Sequence, residues 1–300
     1  MINYDDYIKY SRKIYDVYMS MSVLNWDMET HMPKNGNKFR AQQLSTLAKI
    51  AYDLETDNKY GLLLEKLLGD NSLNDNQKRN VFLSNKHFLK RMKYSGEFIQ
   101  RQSKLISKAF KDWRIAKEKN DFNLFRESLE EIVNLRKEES EFLGYENHPY
   151  DALLDLYEPN LTSKDVDLIF DDVKNKLVPF INKINQNNHI DDSFFYQFFD
   201  KTKQWDFGIE LLKQMGYDFD SGRQDISAHP FSSHFSPEDA RVTTRIDENN
   251  LSDMIWSCIH EGGHALYEQG LLAENYGTPI GNSISLGIHE SQSRLWENHV

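Results

Sequence analysis

Apolar positions recur at three- and four-residue intervals along most of this chain, the pattern of one amphipathic helix after another. From about residue 4 to 25, Tyr7, Tyr10, Ile14, Val17, Tyr18 and Met21 fall on one stripe. Met32-Pro33-Lys34-Asn35-Gly36 breaks the pattern, which resumes from Phe39 to about Leu54. Further helices are predicted over roughly 59–69, 75–119 with an internal break, 121–143, 163–185 and 192–215. Asp121, Ser163 and Asp192 stand at expected N-caps, and Gly144 and Gly216 stop two of the runs. Only Arg241-Val-Thr-Thr-Arg-Ile246 has the β-branched character of a strand. There is no internal repeat and no Gly/Ser linker. The expectation is a mainly α protein, one mostly helical domain over residues 1–300 with a small sheet near its chemistry.

Composition narrows the class. Of 300 residues, 39% are hydrophobic and 13% aromatic, enough for a substantial core. The net charge of −11, with basic residues scattered among acids, argues against nucleic acid or an anionic membrane as the main partner. No run approaches the ~18 apolar residues of a membrane span. The N-terminus lacks the basic and apolar regions of a signal peptide, and Cys258 is the only cysteine, so a cytoplasmic location is expected. Trp26, Trp113, Trp205 and Trp256 are read mostly as core. His31, His87, His148 and His189 have unremarkable neighbours, and Lys137-Glu-Glu-Ser-Glu141 reads as a solvated helix face.

The chemistry begins at His260-Glu261-Gly262-Gly263-His264. Histidines at i and i+4 share a helix face, so both imidazoles can close on one divalent cation. Glu261 then lies beside the cation and can take a proton from the attacking water. Asn250 as N-cap, Asp253 in the first turn and Gly270 as terminator predict a helix from about 251 to 269. Each of Gly262 and Gly263 costs roughly 1 kcal/mol against alanine inside a helix, so close approach of another backbone or of a substrate is expected there.

A catalytic site of this kind needs a third protein ligand. The H-E-x-x-H-x-x-G-x-x-H class is excluded, because Tyr267 and Gly270 occupy the required Gly and His positions. Glu268 lies along the same helix and cannot help surround an ion. Tyr276-Gly-Thr-Pro-Ile-Gly-Asn282 is a loop, and 283–297 reads as a second helix that can fold back and present Glu290. Glu274 is too near the turn, and Glu297 lies two turns beyond Glu290. Glu290 is favoured; His289 points elsewhere and can orient a ligand or bind substrate. Cys258 is read as packing.

These residues carry a family resemblance. His260-Glu-Gly-Gly-His264 with His289-Glu-Ser-Gln292 resembles the M32 metallocarboxypeptidases, the thermostable carboxypeptidase Taq type. Two further motifs of that family stand upstream in order, His229-Pro230-Phe231 and Asp239-Ala-Arg241-Val-Thr243. Trp26-Asp-Met-Glu-Thr-His-Met-Pro33 and Arg40-Ala-Gln-Gln-Leu44 are similar too. The family continues into Arg-x-x-Ala-Asp and Gly-x-x-Gln-Asp-x-His-Trp elements that are not present, so the chain is expected to be a fragment.

The resemblance implies a gluzincin-like helical body with a substrate cleft, a peptide substrate with a free C-terminal carboxylate, broad specificity and a homodimer. His260, His264 and Glu290 would hold one divalent metal, with Glu261 as general base and acid. Zinc suits this donor set, and cobalt or manganese fit a similar one. His229, Asp239, Arg241, Thr243, His289 and Gln292 are candidates for substrate contact or support. Arg241 and His229, with Arg245, could meet the α-carboxylate; equally, Arg241 could pair with Asp239 beneath the site and His229 could only shape the cleft wall. The alternatives are an oligoendopeptidase of similar layout and a metal-binding fragment without catalysis.

Overall fold

The computed structural model describes residues 3–187 and 190–299, so His189 lies outside the described residues. Eleven α-helices and a three-stranded sheet make up the described chain. Helix α1, Tyr4–Thr30, starts at a reciprocal capping box between Asn3 and Asp6. It is followed by α2, Asn37–Glu55, and α3, Asn58–Leu68. The long run predicted over 75–119 is two helices, α4 Asp75–Arg91 and α5 Gly96–Lys119. The break comes where Ser95 caps α5 by accepting from the Phe98 N–H at 3.1 Å. α6, Asn123–Leu143, ends at Gly144 with φ +74°, a left-handed position that glycine takes without strain. The short α7, Pro149–Leu154, is absent from the sequence reading. α8, Ser163–Ile184, is capped by Thr162 rather than Ser163 and buries none of its residues.

Two cores hold this N-terminal part. Tyr7 and Ile14 of α1 pack on Tyr60, Leu63, Leu64 and Leu67 of α3. Ala48 of α2 packs with Phe98 and Ile99 of α5 and Leu135 and Leu143 of α6. The buried Glu55 carboxylate pins three helices, accepting from Tyr18 Oη (2.8 Å), His87 Nε2 (2.7 Å) and Arg91 Nε (2.7 Å). Burial raises its proton affinity, but these donors outweigh that and leave it below the ordinary value. His87 and His31 therefore have specific partners, His31 bonding the buried Asp225 at 2.9 Å. The charge run at 137–141 is likewise only partly solvated: Glu139 is buried and accepts from Tyr94 Oη at 3.0 Å.

The third core carries the chemistry. α9, Lys201–Met215, begins at its Asp200 cap, nine residues later than the predicted start, because Ser193–Tyr196 is a separate 3-10 turn. Strands β1 (Gln224–Ile226), β2 (Ser232–Ser236) and β3 (Asp239–Thr244) form a sheet of order β1-β3-β2, parallel between β1 and β3 and antiparallel between β2 and β3. α10, Leu251–Gln269, lies between α9 and this sheet and joins Ile259 and Ala265 to Leu212, Ala240 and Val242. α11, Leu286–His299, folds back along α10. It starts at 286 because the Leu286 and Gly287 N–H groups donate to Tyr157 O (3.1 Å) and Glu158 Oε2 (2.9 Å).

The connecting loop is moored to α1. Ser11 Oγ donates to Gly277 O at 2.6 Å, Arg12 Nε to Tyr276 O at 3.2 Å and Tyr15 Oη to Asn282 Oδ1 at 2.8 Å. Gly277 has φ +77°, and a Cβ there would sit 2.6 Å from Arg12 Cγ. No helix among the described residues is long and apolar enough to cross a membrane.

Candidate metal centre

α10 begins where Asn250 Oδ1 accepts from the Ser252 N–H at 3.1 Å, with Asp253 in its first turn. Met254, Cys258 and Ile259 are buried on its apolar face, which sets the opposite stripe toward α11. Cys258 is packing: its thiol donates to Gln224 Oε1 at 3.3 Å, and burial pushes its pKa up to about 11. The adjacent glycines answer to close approach. A Cβ on Gly263 would stand 2.8 Å from Ser293 Cα and 3.0 Å from Gln292 O of α11, and one on Gly262 would stand 2.7 Å from Leu212 Cδ2 of α9. The expected close backbone approach is thus that of α11 to Gly263.

That approach brings the three favoured donors together. Glu290 Oε2 lies 3.3 Å from His264 Nε2 and 3.7 Å from His260 Nε2, and the three ligand atoms lie within 4.8 Å of one another. His260 Nδ1 bonds Glu297 Oε1 at 2.6 Å, so Nδ1 carries the proton and Nε2 keeps its lone pair free. Burial raises the Glu297 carboxyl, but His260 and Arg294 bring it net below the ordinary value. Burial, with the neighbouring imidazoles of His289 and His260, drives the His264 pKa down to about 4, which keeps that ring neutral and able to ligate. Two imidazoles and a carboxylate fit zinc or a similar first-row divalent cation.

Glu261 is buried beside this donor set. Burial pushes its pKa up to about 7, with Glu290 adding to the rise and His260 and Ser232 of β2 opposing it. A carboxyl that titrates near neutrality can take a proton and return it.

The remaining candidates divide. His289 stacks on His264 with ring centroids 4.4 Å apart and planes at 13°, and its Nε2 bonds Glu268 Oε1 at 2.9 Å. Gln292 contributes the main-chain oxygen that crowds Gly263. Arg241 is paired bidentately with Asp239 (2.7 and 2.8 Å), its guanidinium 4.4 Å from the Trp26 ring centroid and 4.9 Å from that of Phe235. Of its two readings, the structure displays the ion pair. Arg245 pairs with Asp253 at the start of α10. Thr243 is buried; its Oγ1 accepts from the Phe231 N–H (2.9 Å), donates to Phe231 O (3.1 Å) and meets Ser227 Oγ (2.8 Å). The His-Pro-Phe and Asp-x-Arg-x-Thr segments are therefore one structural unit, with His229 exposed at its edge. Burial, then Lys117 and Arg245, lower the His229 pKa.

Glu297, Glu268 and His234 escaped the sequence reading as supporting residues. Glu297 had a signal, since seven residues beyond Glu290 is the same helix face. His234, on β2, had none; its Nδ1 lies 3.3 Å from Glu268 Oε1.

A helical body whose H-E-x-x-H helix meets a carboxylate from a folded-back second helix has the donor layout found in metal-dependent hydrolases. The chain belongs to the carboxypeptidase Taq (M32) metallopeptidase family, whose model matches residues 6–300. It is similar to carboxypeptidase 1 of Bacillus subtilis, 36% identical over 94% of this chain and 56% of that protein. It is also similar to thermostable carboxypeptidase 1 of Pyrococcus furiosus, 37% identical over 96% of this chain and 58% of that protein. The solved structure described as BsuCP superposes with a TM-score of 0.96 at 35% identity, over 98% of this chain and 60% of that one. This chain thus spans less than two thirds of the length of these relatives.

Proposed function

We propose that this chain forms a peptidase domain over residues 1–300 and supplies the metal centre and catalytic base of a carboxypeptidase acting on peptides with a free C-terminal carboxylate. The observation that carries this reading is the convergence of His260 Nε2, His264 Nε2 and a Glu290 oxygen within 4.8 Å, with Glu261 buried beside them. When bound there, a divalent cation, zinc by the chemistry of the donor set, supplies Lewis acidity that favours attack of water on the scissile carbonyl. Glu261 accepts the proton of the attacking water and passes it to the leaving amine. Glu297 holds His260 in the tautomer that presents Nε2. Gly263 lets α11 lie close enough for Glu290 to reach the histidines.

The named relatives are carboxypeptidases, which favours removal of C-terminal residues over internal cleavage. Broad specificity and a homodimer come with the family reading, and a cytoplasmic location with the single, buried cysteine. The experiment is zinc loading followed by incubation with one peptide in two forms, free acid and C-terminal amide. Stepwise release of free amino acids from the acid form alone, lost in Glu261→Gln, supports the proposal. Internal fragments from the amide, or stoichiometric zinc with no cleavage of either form, refute it.

A further inference from the structure

The two histidines of the metal centre are held differently. His260 has a carboxylate on its second nitrogen, the usual means of fixing a ligating imidazole. His264 does not: its Nδ1 is buried and makes no geometric hydrogen bond among the described residues. With no such bond, the ring pose of His264 has to come from packing. The His260 ring meets it at 4.8 Å nearly perpendicular, and the ring that lies parallel to it is that of His289, at 4.4 Å.

His289 is itself fixed. Its Nε2 is bonded to Glu268, whose side chain is only 3% exposed, and the same oxygen meets His234 Nδ1 from β2 at 3.3 Å. A carboxylate this deep is retained only where donors meet it. Its hydrogen-bond donor is the His289 imidazole from α11, and the His234 imidazole from β2 comes close to the same oxygen. Glu268 stands one turn beyond His264 on that helix, so carboxylate and ligand move as one rigid piece.

We infer that Glu268 is a positioning residue of the metal centre: by holding His289, it fixes the ring plane of His264, as Glu297 fixes His260 by a direct bond. The inference rests on the proposed ligand set.

The test uses Glu268→Ala, Glu268→Gln, His289→Ala and the double variant Glu268→Ala/His289→Ala, with His264→Ala as reference. Zinc affinity is read by chelator competition, and the ligand field by the visible absorption of the cobalt-loaded protein. Circular dichroism of the metal-free forms checks that each is folded. Glu268→Ala should weaken zinc about 10- to 100-fold and shift the cobalt bands, Glu268→Gln less so. The double variant should lose little more than the worse single one, because both act through one contact. Should the alanine variant not fold, Glu268→Gln decides. Wild-type affinity and an unchanged cobalt spectrum in the folded variant overturn the inference. Equal zinc affinity in wild type and His264→Ala overturns the ligand set itself, a result distinguishable from the first.

Discussion

Replacing Gly263 by alanine tests whether the approach of α11 to α10 sets the metal centre. The added Cβ would lie 2.8 Å from Ser293 Cα, where ordinary contact begins at 3.4 Å, so α11 must retreat by 0.6 Å along that line. Two of its three nearest neighbours are a backbone carbon and a backbone oxygen, which cannot swing aside as a side chain such as the third, Trp296, can. Glu290 is three residues from Ser293 on the same helix and moves with it. Metal–ligand distances tolerate only about 0.2 Å, so a shift of this size must detune the donor set. Overpacking costs roughly 1–3 kcal/mol, offset by roughly 1 kcal/mol of better helix propensity. Gly262→Ala is the control, because its Cβ meets Leu212 Cδ2 at 2.7 Å and Met215 Cε at 2.9 Å, the ends of flexible side chains. Chelator competition should give zinc binding at least about tenfold weaker in Gly263→Ala, a loss of ~1.4 kcal/mol, and within about twofold of wild type in Gly262→Ala. Gly263→Ala binding like wild type, or both variants losing equally, would refute the reasoning.

Glu261→Gln should abolish hydrolysis while stabilising the metal-free protein at high pH. The carboxyl's folded pKa of about 7 exceeds its ordinary 4.5, so burying the ionised form opposes folding increasingly as pH rises from 4.5 to 7. At ~1.36 kcal/mol per tenfold change in proton affinity the difference approaches ~3 kcal/mol at pH 8 and vanishes below about pH 4.5; urea titrations at pH 4 and 8 that give the same difference between variant and wild type would contradict it. Glu297→Ala should weaken zinc roughly 10- to 100-fold by freeing the His260 ring, read by the same competition assay. Thr243→Val removes the buried hydroxyl that serves the Phe231 backbone and should cost about 1–3 kcal/mol in denaturant unfolding without changing zinc affinity. Equal losses in both would merge the sheet with the metal centre.

Much of the helical framework was legible because period-3.6 patterning survives burial of only one face, as in α1, α2, α3 and α6. The start of α9 was misread because Phe194, Phe195, Tyr196 and Phe198 extend its apolar pattern backwards through a separate turn. β2 went unseen because Ser232-Ser-His-Phe-Ser236 holds no β-branched residue and owes its conformation to pairing with β3. The candidate histidine pair could be read because i, i+4 spacing is itself geometry, and Glu290 because only a folded-back helix supplies a third direction. Glu268 was weighed solely as a ligand. Its meeting with His289 and His234 joins three elements whose contacts no local pattern encodes.

The mooring of the 276–282 loop to α1 bears on the order in which this protein assembles. Ser11 and Gly277 are 266 residues apart, and the loop they fix is the one that turns α11 back toward α10. The histidine pair needs only one helix turn and can exist as soon as α10 does. Glu290 stands beyond a loop whose mooring closes 266 residues of chain, a closure that chain entropy and contact order make late. A nascent chain therefore offers a passing cation two donors before the loop that aims the third is moored to the first described helix.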